Sequence, residues 1–237
     1  MTAPTVVLVH GAFAESASWN RVVAALRDEG VSAIATPNAL RSVATDADNV
    51  RRAVDAVGGP VVLVGHSYGG AVISEAAVGS DAVTGLVYVS AFSPDHGETA
   101  LELSNRYPGS TLGETVRPIP LGDGSNDLIV DRELFPGQFC ADVPLPEAQL
   151  AAATQRAIRD AALGEGLPSE TPAWKTLPSW HIFGTADKNI PPAAMRFMAE
   201  RAGSRKTVEL EGASHSSMVS HPDAVAGLIL EALSPGA

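Results

Sequence analysis

"PVVLVGHSYGGAVI", residues 60 to 73, changes character in its middle. An apolar run rich in valine ends at Gly65, Ser67 stands between Gly65 and Gly69, and a small-residue stretch of helical composition follows. Gly-x-Ser-x-Gly fixes only three positions, so the surrounding pattern must carry the reading.

Comparable apolar runs recur on both sides: "TVVLVHG" (5–11), "VSAIATP" (31–37), "TGLVYVSAF" (84–92), "SWHIFGT" (179–185) and "KTVELEG" (206–212). They are continuous rather than alternating, which suits strands buried on both faces of a parallel sheet. Amphipathic helices are expected between them, over 18–29, 45–57, 68–78, 192–202 and 222–233. Strand followed by helix, repeated, means βαβ units with right-handed crossovers. The expected fold class is therefore α/β, with a doubly wound, mostly parallel sheet of about six strands.

One interval breaks the alternation. From 93 to 176 the chain is rich in Pro, Gly and acidic residues and shows no strong strand. Only "ETALELSNRY" (98–107) and "PEAQLAAATQRAIRDAAL" (146–163) read as helices. So long a stretch between two sheet strands is expected to be an inserted helical cap after the fourth strand, not a structureless loop. The expected core is 1–92 together with 177–237, and the cap is 93–176.

A chain of 237 residues with 45% hydrophobic content can bury a substantial core. Its 27 acidic and 16 basic residues give a net charge of -11, with no cluster of Lys or Arg. That balance speaks against a nucleic-acid or anionic-membrane partner, both of which need concentrated positive charge. Cys140 is the only cysteine, which excludes an intrachain disulfide and a cysteine metal cluster. It reads as a passive thiol of the lid or core. The histidines lack H-E-x-x-H or similar spacing, and neither a metal nor a cofactor is expected. The N-terminal "MTAPTVVLVHGAF" has no basic flank, and its apolar run is too short for a signal peptide or a membrane span, so cytoplasmic residence is expected. Nothing in the pattern sets an oligomeric state.

Ligands of open parallel sheets bind at the carboxyl ends of strands, so chemistry should follow the apolar runs. Ser67 leaves a strand and enters a helix through a turn tight enough to strain its backbone and to require minimal side chains at Gly65 and Gly69. The same turn aims free helix amides at whatever charge develops beside Ser67. Neither a G-x-G-x-x-G nor a Gly-Lys-Ser/Thr string is present to make this a phosphate loop. A serine nucleophile needs a base, and histidine has the suitable pKa. His10 and His66 adjoin strand ends and read as structural, and His181 lies inside an apolar strand. His96 lies in the cap, and His221 precedes Pro222 at a helix start. His215, in "EGASHSSM" directly after the last strand, remains as the base. An acid must orient it. Asp187 in "IFGTADKNIPP" stands after the next-to-last strand, and Asp95 in "SAFSPD" is its rival. Two backbone amides should face the developing oxyanion: that of Tyr68, and, from the loop "HGAF", that of Ala12. Losing one such donor typically raises a barrier by about 3 kcal/mol.

With "VVLVHGAF", "VVLVGHSYGGAVI", "IFGTADKNIPP" and "GASHSSMVSHP", the sequence resembles the α/β-hydrolase superfamily. Within it, the resemblance is to the small cofactor-free esterase branch that includes plant methylesterases and hydroxynitrile lyases. "SHSSMVSHP" is close to that branch's H-x-x-M-x-S-x-P ending. The resemblance implies an α/β-hydrolase fold, the triad Ser67, Asp187 and His215, and the oxyanion amides of Ala12 and Tyr68. It also implies that lyases of this branch carry threonine where Gly11 stands and lysine where Ser216 stands. Both are absent, which weighs against lyase chemistry.

A pocket under the cap should be apolar and aromatic with a few polar groups. Phe13, Tyr107, Phe135, Phe139, Trp174 and Met218 are the candidate lining residues. No basic residue is evidently placed to grip a charged acid, so neutral esters or lactones are the expected small-molecule partners. The expected function is hydrolysis of carboxylic esters through an acyl-enzyme. Two alternatives stay open: other triad chemistry, such as perhydrolysis, C–C hydrolysis or lyase activity, or a non-catalytic small-molecule binding protein that kept the fold.

Overall fold

Residues 4–234 are described by the computed structural model. Their strands are β1 Thr5–Val9, β2 Ala33–Thr36, β3 Val61–His66, β4 Val83–Val89, β5 Val116–Pro120, β6 Asn126–Val130, β7 Ile158–Arg159, β8 Ser179–Gly184 and β9 Lys206–Leu210. The helices are α1 Asn20–Asp28, α2 Val43–Val57, α3 Tyr68–Ala76, α4 Ala100–Asn105, α5 Leu112–Thr115, α6 Phe135–Phe139, α7 Leu145–Thr154, α8 Asp160–Gly164, α9 Pro192–Arg201, α10 Ser217–Ser220 and α11 Pro222–Ala232.

Six strands form one sheet in the order β2-β1-β3-β4-β8-β9, and every neighbouring pair is parallel. The central strands are apolar throughout because both faces are covered. Val6, Leu8, Val62 and Val64 pack with Val22 and Leu26 of α1 and Val225 and Ile229 of α11. Val7, Val9, Val61 and Leu63 face the other way, toward Val50 and Val54 of α2 and Val72 and Ile73 of α3. All of these residues are buried, and each side chain of this size contributes about 1.5–3 kcal/mol on leaving water. The chain leaves β1 for β2 on one side and returns as β3 on the other. This reversal makes the carboxyl ends of β1 and β3 a topological switch point, where such sheets open a crevice.

Between β4 and β8 the chain contains more than helices. α4 begins as expected, with a capping box in which Thr99 accepts from the Glu102 amide and Glu102 accepts from the Thr99 amide. The expectation of an all-helical insertion needs correction, because β5, β6 and β7 form a second, antiparallel sheet. β5 was hidden by Pro118 and Pro120, which argue against a strand but are tolerated on an edge that needs no amide donors. The single helix expected over 146–163 is also two helices. α7 stops at Thr154, and Gln155 turns extended. Its side chain then serves as a strand partner for Val130, accepting from the Val130 amide at 2.8 Å and donating to the Val130 carbonyl at 2.9 Å. The Arg159 amide donates to the Leu40 carbonyl at 3.0 Å, which fixes β7 against the core. Tertiary hydrogen bonds here override a local helical propensity.

Candidate active site

Ser67 links β3 to α3 with φ 55° and ψ -125°. A non-glycine residue held there carries about 1–3 kcal/mol of strain, which the surroundings must over-determine. They do so through its backbone: the Ser67 amide donates to the Val89 carbonyl, and its own carbonyl accepts from Gly70 and Phe92. The close quarters explain the flanking glycines. A Cβ on Gly65 would stand 2.6 Å from the Gly69 carbonyl oxygen, and one on Gly69 would stand 2.5 Å from that of Val9.

The loop after β1 abuts this turn. A Cβ on Gly11 would lie 2.6 Å from the Ser67 Cβ and 3.0 Å from the Tyr68 nitrogen. His10 pins the loop: its Nδ1–H donates to the Gly11 carbonyl, its Nε2 accepts from the Asn38 amide, and the Asn38 side chain donates back to the His10 carbonyl. Tyr68 opens α3, so its amide has no partner one turn back. Among the described residues, neither the Tyr68 amide nor the Ala12 amide donates a hydrogen bond outside the regular elements. Both are therefore available to a ligand oxygen.

His215 sits in the loop between β9 and α10, fully buried. Its Nδ1–H donates to Asp187 Oδ2 at 2.6 Å. Asp187, after β8, is held in turn by the amides of Asn189 at 2.7 Å and Ile190 at 3.0 Å, which both donate to Oδ1. The His215 Nε2 is buried and has no hydrogen-bond partner. His66 lies against the ring of His215, centroids 4.7 Å apart, and its Nε2–H donates to the His215 carbonyl. Burial, reinforced by His215, pushes the His66 pKa well below the ordinary value, so His66 stays neutral. The remaining histidines are elsewhere. His181 stacks on Tyr88 and meets Ser204, His96 is exposed in the cap, and His221 pairs with Ser220 and approaches Asp142. Asp95, the rival acid, is paired with Lys175 at 2.5 Å, whereas the carboxylate bonded to His215 is that of Asp187.

Ser67, His215 and Ala12 line one cavity of about 50 Å³, roofed from the cap by residues including Leu101, Leu112 and Leu163. A second cavity of about 280 Å³ adjoins it. Of the expected lining residues, Phe13 and Phe139 border both spaces, while Phe135 and Met218 border only the larger. Tyr107 and Trp174 border neither, which corrects the expectation for both. Tyr107 packs on Phe197, ring centroids 6.2 Å apart. Trp174 spends its indole N–H on the Pro94 carbonyl at 2.8 Å, which turns the ring into cap–core packing. Ile190 was missed, although its place three residues after Asp187 put it beside the site. Leu112 and Leu163 carried no comparable signal.

Among the described residues, no group of three or more His, Cys, Asp or Glu side chains is arranged to hold a metal ion. No helix among them is long and apolar enough to cross a membrane. A strained serine on a βα turn, two free amides and a carboxylate-oriented imidazole can together generate a nucleophile and stabilise an oxyanion.

Similarity to known proteins agrees with the fold. A putative chloroplastic methylesterase of Arabidopsis thaliana is 24% identical over 95% of this chain and 63% of its own length. A probable hydrolase, R7, of Phoma sp. is 32% identical over 60% of this chain and 62% of its own length. The chain thus spans under two thirds of either relative. The crystal structure of polyneuridine aldehyde esterase superposes with a TM-score of 0.83, covering 97% of this chain and 99% of that one at 18% identity. A model of the alpha/beta hydrolase family matches residues 6–228, so the chain belongs to that family.

Proposed function

We propose that the protein is a serine hydrolase of carboxylic esters, acting on neutral esters or lactones. The observation that carries this reading is the buried His215, oriented by Asp187, with its unpartnered Nε2 and Ser67 on one cavity. Ser67 Oγ attacks the ester carbonyl carbon while its proton passes to His215 Nε2. The carbonyl oxygen becomes an oxyanion that accepts from the amides of Ala12 and Tyr68. Collapse breaks the bond to the alkoxy oxygen, which takes the proton from Nε2 and leaves as the alcohol. Water then attacks the acyl-enzyme, gives its proton to Nε2, and the acid departs as Ser67 is reprotonated.

Two residues favour hydrolysis over the lyase alternative. Gly11 has no room for a threonine side chain against Ser67. Ser216 hydrogen-bonds the Phe139 carbonyl at 3.0 Å and carries no positive charge to hold cyanide. The names of the two relatives, a methylesterase and a hydrolase, are consistent with this reading.

Purified protein is expected to release p-nitrophenol from a short-chain p-nitrophenyl ester, and Ser67→Ala is expected to lower kcat by about 10³-fold or more. Equal turnover by wild type and Ser67→Ala across a panel of esters and lactones would falsify the assignment.

A further inference from the structure

Asn189 lies between β8 and α9, two residues after Asp187, and borders the same cavity as Ser67 and His215. It is 2% exposed. Its amide donates to Asp187 Oδ1 at 2.7 Å, and its carbonyl accepts from the Ser110 hydroxyl at 2.9 Å. Its side-chain Oδ1 accepts from Gln138 Nε2 of α6 at 2.7 Å. The same Gln138 Nε2 also donates to the Lys188 carbonyl at 2.9 Å, and a carbonyl can only accept. That second bond fixes which end of the Gln138 amide is nitrogen, so Asn189 must turn its oxygen toward Gln138 and its nitrogen away. The Asn189 Nδ2 is buried and has no hydrogen-bond partner.

A buried amide nitrogen without an acceptor is costly, and folded proteins rarely keep one. Among the described residues that border this cavity, only His215 Nε2 is buried and unpartnered in the same way, and the proposed reaction gives that atom its proton. The other side chains around the cavity offer no substitute for Asn189. Ser104 spends its hydroxyl proton on the Leu101 carbonyl at 3.0 Å, and the rest, apart from Ser67, are apolar. No Lys or Arg borders the cavity, and Asp187 is bonded to the Asn189 amide. An anionic group would lose its water there beside a fixed carboxylate, with no cation to offset the loss. A donor in these surroundings suits an uncharged oxygen.

Resting on the hydrolase reading, we propose that Asn189 is a specificity-determining residue, whose Nδ2–H donates to an uncharged oxygen that the substrate carries in addition to its ester group. The substrate class is esters with a second oxygen acceptor, such as an ether, a few bonds from the scissile carbonyl. Because Gln138 holds Oδ1, the donor is oriented before the substrate arrives and loses little rotamer freedom on binding. An ester with a methylene in place of that oxygen leaves Nδ2 unpaired, and this difference is what the site discriminates.

Values of kcat/KM for ethyl methoxyacetate against ethyl butanoate, ethyl 3-methoxypropanoate against ethyl pentanoate, and 2-methoxyethyl acetate against butyl acetate test this. Each pair differs only by an ether oxygen in place of a methylene. Dividing each pair's ratio by the ratio for hydrolysis in hydroxide removes the electronic effect of the oxygen. In the wild-type protein the corrected ratio should favour the ether in at least one pair, and Asn189→Leu and Asn189→Ala should each lower it about tenfold in that pair. A merely structural asparagine would slow both members of every pair alike, so unchanged ratios in the variants overturn the proposal. Wild-type ratios that favour the ether in no pair overturn it by themselves, whether or not the variants fold. The hydrolase reading fails separately, if none of the six esters is cleaved or if Ser67→Ala cleaves them equally.

Discussion

Tyr68 serves the site twice, through its amide and through its hydroxyl. The hydroxyl donates to Asp46 Oδ2 at 3.0 Å, and the same carboxylate accepts from the Arg41 amide at 3.2 and 3.1 Å. A buried acid on α2 therefore anchors the residue that follows the nucleophile. Tyr68→Phe removes a hydrogen bond to a charged group, and a loss of about 1.5–3 kcal/mol in urea unfolding is expected. A loss no larger than that of an exposed tyrosine would show that the bond does not hold the turn. Burial also raises the Asp46 pKa above the usual carboxylate value. Between the unfolded and folded values the folded protein binds more protons, so this group's contribution to stability falls as pH rises. Asp46→Asn escapes that loss. Its stability relative to wild type should therefore improve from pH 4 to pH 7, and a constant difference would contradict the sign. None of this network was legible in the sequence, because Asp46 reads there as an ordinary first-turn residue of a helix.

At the level of elements, legibility followed burial. Four of the six core strands, β1, β3, β4 and β8, announced themselves because each is an apolar run covered on two faces, and Ser67 and Asp187 drew attention because each follows such a run. The edge strands β2 and β9 are partly exposed and gave a weaker signal, and His215 follows the weaker of them. The cap offered no such signal. Its edge strand β5 is mostly exposed and carries two prolines, and β7 is only two residues long. The end of α7 is decided by one side chain, since Gln155 completes the hydrogen bonds of Val130 from across the cap and also donates to the Ala152 carbonyl at 3.0 Å. No periodicity encodes that. Gln155→Ala should leave part-buried backbone groups unpaired and cost about 1–3 kcal/mol. A change within about 0.5 kcal/mol, as for ordinary surface substitutions, would mean that the helix ends for another reason. Tyr107 and Trp174 misled for the same cause. An aromatic residue in a cap can face the pocket or the core, and only the partners of its ring and N–H decide.

Across the whole molecule, burial of neutral histidines sets how the fold responds to acid. His10, His66 and His181 are all buried, and burial lowers the pKa of each. For His181 the value falls to about 3. Unfolding frees each ring to take a proton near its ordinary pKa of about 6.5, so below that pH the unfolded chain binds more protons and stability falls as pH falls. A ring that stays neutral when folded removes about 2 kcal/mol between pH 7 and pH 5. His181 isolates the effect, because it lies on β8 away from the cavities and its Nε2 is buried without a partner. His181→Phe preserves a ring to stack on Tyr88 and cannot titrate. The net charge of -11 shrinks on acidification in both proteins alike, so the difference between them reports the ring. Urea unfolding at the two pH values should show wild type losing about 2 kcal/mol more than His181→Phe. Equal losses would mean that His181 takes up its proton in the folded state, and that the sheet around it is more open to water than its burial indicates.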